Sequence, residues 1–381
     1  MIRRIKIKNF RSLDVDFQLD PVTVLIGRSG TGKTNFVSAL RFLREIILQQ
    51  RVQDNFRYNP GHFETKFFPN IFPLTKKDKD MSLGYEIEFD VPPLSEQFHY
   101  FLDISNQSGI VRETFLIDNQ PIIRQATNPH TCQLSTFQGN KKVSIARIAL
   151  TQGLACYDFP GSVCTNGDQN TQRKAVQSSQ TNEGLADRAE NYSAVFNAIV
   201  KDLTKQESWN MIDRSLQNLN ATVETVTPNS QNEQQILVTH KFGDHAVPFD
   251  IGKESEGFRR FFAHLLAVYQ TPPKQTLVFE EPERGIHPGA LESLAEILKF
   301  CPEEGHGQVI LTTHSPQLLD HFEPESIRAV VMEDGVTKIG AIEKERFTAL
   351  KKKLLFPGEL LTVTDAAIDR DAMEGIPGNA P

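Results

Sequence analysis

The chain has 381 residues, of which 39% are hydrophobic and 23% charged, and its formal net charge is −7. This composition predicts a soluble globular protein with enough apolar residues for one large domain or two smaller ones, and the negative charge argues against coating of nucleic acid by the whole surface. No apolar run approaches the roughly 20 residues that span a bilayer and no signal-peptide core is present, so we expect a cytoplasmic protein without a membrane partner.

The first 26 residues are predicted to form strands that lead into a glycine-rich loop. The strands are predicted at Ile2–Ile7, Leu13–Leu19 and Val22–Ile26, with a turn over residues 9–12. The third strand is an apolar, β-branched run, and an amphipathic helix is predicted after the loop, from Asn35 to about Gln50.

The loop between this strand and this helix has the spacing of a phosphate-binding motif. Its residues are Gly27, Arg28, Ser29, Gly30, Thr31, Gly32, Lys33 and Thr34, with Asn35 next. Glycines let the backbone curl so that several N–H groups converge on phosphates, and the start of the helix adds the positive end of its dipole. Lys33 is expected to reach the β- and γ-phosphates, and the Thr34 hydroxyl to ligate Mg²⁺. The sequence therefore predicts a nucleoside triphosphate site.

In the middle of the chain, the spacing of the apolar residues changes several times. Residues 55–80 are predicted to be loop with short helices, whereas the period of two from Ser82 to Ile117 predicts a meander of antiparallel strands. The polar stretch 165–192 is predicted to be a mobile loop. Two helices and two strands are expected after it, at residues 195–203, 209–219, 221–226 and 235–240.

The last third alternates strands and helices, which predicts a parallel α/β sheet. Strands are expected at residues 276–279, 309–312 and 327–332, and helices at 261–269, 291–300 and 317–322.

Three further groups of residues could complete the nucleotide site. Glu280 and Glu281 end one predicted strand, and we assign Glu280 to the metal and Glu281 to the general base that takes a proton from the attacking water. His314 follows the next strand and could bind the γ-phosphate or orient the water. Ser255 and Gly257 precede a predicted helix and could form an anion seat. Taken singly, the histidine and the helix cap are equally compatible with structural roles.

Together these motifs resemble the ABC-type ATPase head of the SMC, RecF and OLD proteins, most closely the compact bacterial AAA-family ATPases of the OLD-like group. The motifs occur in the family's order at residues 5–13, 27–34, 255–257, 280–288, 312–316 and 356–360. The resemblance covers residues 1–50 and 245–360. It implies an α/β P-loop NTPase fold, an ABC-ATPase-like head with an antiparallel β subdomain and an inserted helical lobe.

The resemblance also implies ATP and Mg²⁺ as cofactors and a face-to-tail dimer, or a higher oligomer, formed through the ATP sites. Ser255 and Gly257 would then act in trans, and Lys33, Thr34, Glu281 and His314 in cis. Ser29, the Glu256-Gly257-Phe258 segment and Glu280 depart from the usual residues of the family, and we expect slow turnover.

We predict four segments along the chain. They are an ATPase lobe with the phosphate loop and meander (1–164), a polar loop with an inserted helical and β lobe (165–245), a second ATPase lobe (246–344) and a tail (345–381). Fewer than about 40 residues follow Lys344, too few for the metal-dependent Toprim domain of OLD nucleases. We therefore expect any effector, a nuclease or another toxin, to be a separate protein.

Several alternatives stay open. We expect DNA contact mainly because the resembled family contacts DNA. The basic residues that could take part are Arg3, Arg4, Lys6 and Lys8 on the first strand and the Lys351–Lys353 run. An ordinary solvent-exposed surface would equally explain these charges. A RecF-like DNA repair ATPase is the nearest alternative function.

Two other classes are a GTP-dependent switch and a scaffold whose nucleotide is only structural. The segment Thr75-Lys76-Lys77-Asp78 fits a guanine-specificity motif but lies in an irregular, charged stretch. For the Gln-loop residue that the resemblance implies, Gln49, Gln50 and Gln53 are candidates by position only.

Overall fold

The computed structural model describes residues 1–48, 56–59, 62–65, 71–73, 81–126, 128–165, 184–303, 305, 307–363 and 367–369. It contains two compact units, one formed by Met1–Leu154 with Ile310–Pro381 and the other by Ala155–Val309. The predicted guanine-specificity segment, the three candidate glutamines and residues 166–183 of the polar loop lie outside the described residues. In the part of the chain that the structure describes, no helix is both long and apolar enough to cross a membrane.

The described strands, in chain order, are β1 (Ile2–Phe10), β2 (Leu13–Gln18), β3 (Val22–Ile26), β4 (Phe56–Asn59), β5 (His62–Thr65), β6 (Ser82–Asp90), β7 (Gln97–Ser105), β8 (Gly109–Ile117), β9 (Gln120–Ile123), β10 (Leu154–Tyr157), β11 (Val223–Pro228), β12 (Ile236–Phe242), β13 (His245–Asp250), β14 (Thr276–Glu280), β15 (Gln308–Thr313), β16 (Ile327–Glu333) and β17 (Val336–Ala341). The described α-helices are α1 (Lys33–Leu48), α2 (Gln133–Thr136), α3 (Lys141–Leu150), α4 (Tyr192–Lys201), α5 (Gln206–Leu219), α6 (Glu256–Tyr269), α7 (Leu291–Phe300), α8 (Pro316–Leu319), α9 (Lys344–Lys351) and α10 (Glu359–Thr362). Short 3-10 helices lie at Leu203–Lys205, Ile251–Lys253, Pro288–Ala290 and Pro324–Ser326.

The first unit is built on a mixed sheet whose strands follow the order β15-β3-β16-β17-β2-β1-β6-β7-β8-β9. Strand β16 pairs parallel with β3 and β17 parallel with β2, whereas β16 and β17 form an antiparallel hairpin. Strands β6 to β9 pair antiparallel in sequence, which confirms the predicted meander. Alternating apolar residues of these strands are buried, and α1 buries the face that carries Phe36, Leu40 and Leu43.

The second unit contains the neighbouring strands β10 and β14 and a separate antiparallel sheet of β11, β12 and β13. Helix α6 is buried along most of its length, because its apolar residues, including Phe261, Phe262 and Leu265, occupy every face of the helix rather than one stripe.

Four expectations about local structure are wrong. Residues 56–59 and 62–65 form the paired antiparallel strands β4 and β5 instead of loop with short helices, since aromatic residues such as Phe56, Tyr58 and Phe63 favour strands. Helix α6 begins at Glu256 and not at residue 261, and α8 ends at Leu319, three residues before the expected end. The last third is only partly parallel, because β17 turns back on β16 at Asp334-Gly335, where both residues have positive φ angles.

Candidate nucleotide-binding site

The predicted phosphate loop joins β3 to α1 in the first unit, in the strand, loop and helix order that the motif requires. Residues 28–30 of the loop are exposed, whereas Gly27 is buried. Gly32 has a φ of 105°, a region that residues with a side chain rarely adopt, so the loop can follow this path only with glycine at that position.

The Lys33 side chain lies within the loop. Its Nζ donates hydrogen bonds to the carbonyl oxygens of Gly27, at 2.6 Å, and of Arg28, at 2.9 Å. The Thr31 hydroxyl also donates to the Arg28 carbonyl, at 2.9 Å. An ammonium group fixed among loop carbonyls gives this loop a positive charge in addition to its N–H groups, and both attract phosphate.

The two residues after Lys33 have different surroundings. Thr34 is exposed in the first turn of α1, where its hydroxyl is accessible to a metal ion. The Asn35 side chain instead donates from Nδ2 to Ser12 Oγ, at 2.9 Å, and accepts at Oδ1 from Arg11 Nη1, at 3.1 Å. The structure therefore places the predicted nucleotide ligand Asn35 in a polar network with the turn between β1 and β2.

His314 follows β15 in the same unit and is exposed. Strand β15 is the sheet neighbour of β3, the strand that leads into the phosphate loop. The next residue, Ser315, caps α8 by accepting a hydrogen bond from the Leu318 N–H at 3.1 Å. Ser315 therefore has a structural role, and its neighbour His314 is presented at the surface.

In the second unit, Ser255 is the N-cap of α6. Its hydroxyl accepts a hydrogen bond from the Phe258 N–H at 3.3 Å, which explains why the helix begins directly after it. The Arg259 guanidinium donates to the main-chain carbonyls of Gly161, at 2.8 Å, and Val163, at 2.9 Å, and it also contacts the Glu254 carbonyl. These bonds anchor the start of α6 while Ser255 itself stays exposed.

The acidic pair lies where β14 ends. Glu280 is the last residue of the strand, and Glu281 has a φ of 47°, a left-handed conformation that is uncommon for a residue with a side chain. Arg284 donates from Nη2 to Glu281 Oε2 at 2.6 Å, and its Nη1 lies 3.7 Å from Asp158 Oδ1. The hydrogen bond to the Glu281 carboxylate raises the pKa of the Arg284 guanidinium. Left-handed backbone outside glycine is often found at functional sites.

The acidic turn and the start of α6 are in close contact within this unit. A Cβ atom added to Gly257 would lie 2.8 Å from the Gly285 carbonyl oxygen, and one added to Gly285 would lie 2.8 Å from Glu256 Oε1. The structure thus brings the predicted anion seat, Ser255 and Gly257, next to the loop that carries Glu280 and Glu281. Sequence reasoning missed Arg284 and Arg259, because only the folded loops show that one pairs with Glu281 and the other with main-chain carbonyls.

Among the described residues, no group of three or more histidine, cysteine, aspartate or glutamate side chains is arranged to hold a metal ion. Mg²⁺ in phosphoryl-transfer sites is held by one or two protein oxygens together with phosphates and water. The exposed Thr34 hydroxyl and the partly exposed Glu280 carboxylate are oxygen donors of that kind. Each of these residues is therefore, within its own unit, of a chemical type that can ligate such an ion.

Comparisons with known proteins match two parts of the chain. Residues 1–144 match a family model described as "AAA ATPase domain", and residues 184–320 match one described as "AAA domain, putative AbiEii toxin, Type IV TA system". The OLD nuclease of Thermus scotoductus (strain ATCC 700910 / SA-01) is 28% identical over 114 residues, which are 25% of this chain. The matched part spans only 21% of the length of that curated relative.

The fold is shared with a solved structure of an SMC head. The SMC head bound to the C-winged helix domain of ScpA has a TM-score of 0.54 and 15% identity, with 91% of this chain and 99% of that chain covered. The SMC head domain from Thermotoga maritima has a TM-score of 0.48 and 14% identity, over 90% of this chain and 99% of that one. Residues 1–144 and 184–320 are thus similar to AAA ATPase domains, and the chain shares the fold of the ScpA-bound SMC head.

Proposed function

We propose that two copies of the chain bind ATP between them, head to tail, and that ATP binding and hydrolysis switch this dimer between closed and open states. The observation that carries the proposal is the exposure of Ser255 at the start of the 14-residue helix α6. Hydrogen bonds from Arg259 to main-chain carbonyls hold this start of the helix in place. Residues 28–30 of the phosphate loop are also exposed. Each unit thus presents one half of a nucleotide site at its surface.

In this proposal Lys33, Thr34, Glu281 and His314 act on the triphosphate bound to their own copy, and Ser255 and Gly257 act on the triphosphate of the partner. The Lys33 ammonium neutralises the β- and γ-phosphates, and the Glu281 carboxylate accepts the proton of the attacking water. Thr34 and Glu280 would hold Mg²⁺, which neutralises charge that develops on the phosphate oxygens.

His314 supplies an imidazole at the γ-phosphate. Because ATP then forms part of the interface, the nucleotide stabilises the dimer relative to the separate copies, and its hydrolysis removes that stabilisation. Hydrolysis thereby limits the lifetime of the closed state.

The proposal is tested by sedimentation velocity with Mg²⁺ and a nonhydrolysable ATP analogue. Wild-type protein is expected to dimerise with the analogue and to stay monomeric without nucleotide. Ser255→Arg places a bulky cation in the anion seat and should abolish dimerisation while ATP binding is retained. Ser230→Arg, in an exposed turn of the second unit, is the matched control and should dimerise normally. Dimerisation of the Ser255→Arg variant at wild-type analogue concentrations would refute the trans role of the seat.

We further propose that the dimer regulates a separate effector in phage defence or genome maintenance, in contact with DNA. The OLD match and the AbiEii description support the defence setting, and a RecF-like repair role is the alternative. We do not expect Arg4 and Lys6 of β1 to contact DNA, because both pair with Asp16, at 2.7 Å and 3.1 Å, and this carboxylate offsets part of their charge. A DNA mobility-shift titration at low salt, with and without ATP, tests this part: absence of binding removes DNA from the proposal.

A further inference from the structure

Thr337, which no sequence motif singled out, lies directly beneath the phosphate loop. It is the second residue of β17 and is fully buried. Its hydroxyl donates to the Thr31 carbonyl oxygen at 2.8 Å and is 2.7 Å from Ser12 Oγ. Its main-chain N–H donates to the Ser12 carbonyl at 2.6 Å. One buried side chain thus joins the loop, the turn between β1 and β2 and the β16–β17 hairpin.

The hairpin also touches the loop through close packing. A Cβ atom added to Gly32 would lie 2.1 Å from Thr337 Oγ1 and 2.9 Å from Thr337 Cγ2. At the other end of the loop, a Cβ atom added to Gly27 would lie 2.2 Å from the Val330 carbonyl oxygen of β16. Both glycines therefore allow the loop backbone to rest on the hairpin.

The hydrogen-bond directions in this network are fixed by chemistry. The Thr31 carbonyl can only accept, so the single hydroxyl proton of Thr337 is used there. The Ser12 hydroxyl must then donate to Thr337 Oγ1, and it accepts from Asn35 Nδ2 at 2.9 Å. The result is one directed series of bonds from Asn35 through Ser12 and Thr337 to the Thr31 carbonyl. Such series strengthen their members inside a protein.

The orientation of the Thr31–Gly32 peptide follows from this series. In a trans peptide the C=O and N–H groups point in opposite directions. Because the Thr31 carbonyl is directed down onto buried Thr337, the Gly32 N–H is directed away from the hairpin, to the other side of the loop. In this class of loop it is the main-chain N–H groups that cradle phosphates.

We infer that Thr337 is a positioning residue for the nucleotide: its hydroxyl sets the orientation of the Thr31–Gly32 peptide and thereby the affinity of the phosphate loop for triphosphate. This inference rests on the proposed ATP binding and deepens it, because it assigns part of the affinity to a residue that touches no phosphate. It explains why Gly32 packs against a hydroxyl instead of an apolar side chain.

The test compares Thr337→Val, which keeps the shape but removes the hydroxyl, with Thr337→Ser, which keeps the hydroxyl. We expect the Kd of ATP, measured by calorimetry with Mg²⁺, to rise about tenfold in Thr337→Val, as for loss of one buried hydrogen bond, and to stay within about twofold in Thr337→Ser. In steady-state hydrolysis, Thr337→Val should show a raised KM for ATP, with kcat unchanged at saturating ATP. A purely structural defect would instead lower the active fraction, and kcat with it.

Thr23→Val is the matched control. Thr23 is also fully buried, lies in the strand that leads into the loop, and its hydroxyl accepts from the Asp20 N–H at 3.0 Å without touching the loop. This variant loses a comparable hydrogen bond, and we expect wild-type ATP affinity for it.

A measurement without nucleotide separates this inference from the proposed function. In Thr337→Val, and not in Thr23→Val, amide hydrogen exchange of a peptide spanning residues 27–34 should accelerate in the nucleotide-free protein. Wild-type protein that fails to bind ATP would refute the proposed function, while the exchange result would still decide the role of Thr337. Unchanged exchange and unchanged Kd in a folded Thr337→Val variant, or equal losses in the Val and Ser variants, would overturn the inference.

Discussion

The phosphate loop of the first unit and the acidic turn of the second are held in place by different kinds of interaction. The loop rests on main-chain carbonyls and a buried hydroxyl, through Lys33 and Thr337. The acidic turn is held by an ion pair between Arg284 and Glu281, whose side chains are 50% and 27% exposed. Buried hydrogen bonds respond little to salt, whereas a partly exposed ion pair is screened by it. We therefore expect the conformation of the phosphate loop to depend less on salt than that of the acidic turn.

The largest expected effect tests the acidic turn. Glu281→Gln removes the base and keeps the shape, so we expect kcat to fall about 10²- to 10⁴-fold while the Kd of ATP stays near the wild-type value. Phosphate release and calorimetry measure the two quantities. Equal turnover in the variant would show that Glu281 is not the base, and a lost affinity would show that the acidic turn contributes to binding as the loop does.

The next effect tests the rigidity of the loop. Gly32→Ala adds a Cβ atom 2.1 Å from Thr337 Oγ1 at a φ of 105°, so either the loop or the hairpin must move. We expect the free energy of unfolding to fall by about 3 kcal/mol and ATP binding to be lost. Urea unfolding and calorimetry check these outcomes. Gly30→Ala is the control, because a Cβ atom there meets nothing within 4 Å although its φ is also positive.

A third effect distinguishes the units by pH. His264 of α6 packs against Phe159 and Phe279, and burial lowers its pKa from 6.5 to about 4. The unfolded chain therefore binds a proton between those values that the folded chain does not bind. Protonation of the unfolded chain therefore favours unfolding in this range. The free energy of unfolding keeps its full value above pH 6.5 and decreases as the pH falls toward 4, by up to about 3 kcal/mol.

His264→Phe removes the titrating group and should flatten the urea-unfolding stability of the protein across this pH window. A variant that keeps the full wild-type slope would show that other groups account for the acid sensitivity. The substitution should leave the ATP affinity of the phosphate loop unchanged. An altered ATP affinity at pH 7 would contradict the contrast between the two regions.

The smallest effect concerns the ion pair itself. Arg284→Ala should cost no more than about 1 kcal/mol of unfolding free energy, because the pair is half exposed, and the loss should shrink at high salt. Arg284→Lys keeps the charge and serves as the control. A loss above about 2 kcal/mol that is independent of salt would place the acidic turn in the same buried, fixed class as the loop.

The parts of the fold that local sequence determines were predictable. The spacing of glycines predicted the phosphate loop, alternation of apolar residues predicted β6 to β8 of the meander, and helix α7 has the predicted ends, Leu291 and Phe300. Strand β17 was missed, although Asp334-Gly335 is a typical hairpin turn and would have indicated it.

The supporting residues of the site were not predictable. Thr337 and Ser12 are 325 positions apart in the chain, and no local pattern pairs two hydroxyls at that separation. Arg284 pairs with Glu281 in a turn where Glu281 has a left-handed conformation, and sequence alone reveals neither feature. The roles of Glu281 and Ser255 are predictions that the variants above test, and those of Glu280 and His314 stay predictions from the motifs.

The strand order of the first unit has a consequence for synthesis on the ribosome. Strands β16 and β17 lie between β3 and β2, yet they are made about 300 residues after them. A nascent chain that has not yet reached Ile327 lacks β16, the neighbour of β3, and β17, the neighbour of β2, together with the hydroxyl beneath the phosphate loop. The phosphate loop, although translated early, is thus among the last parts to mature, so a chain arrested before β16 would carry the complete phosphate-binding sequence without a formed cradle.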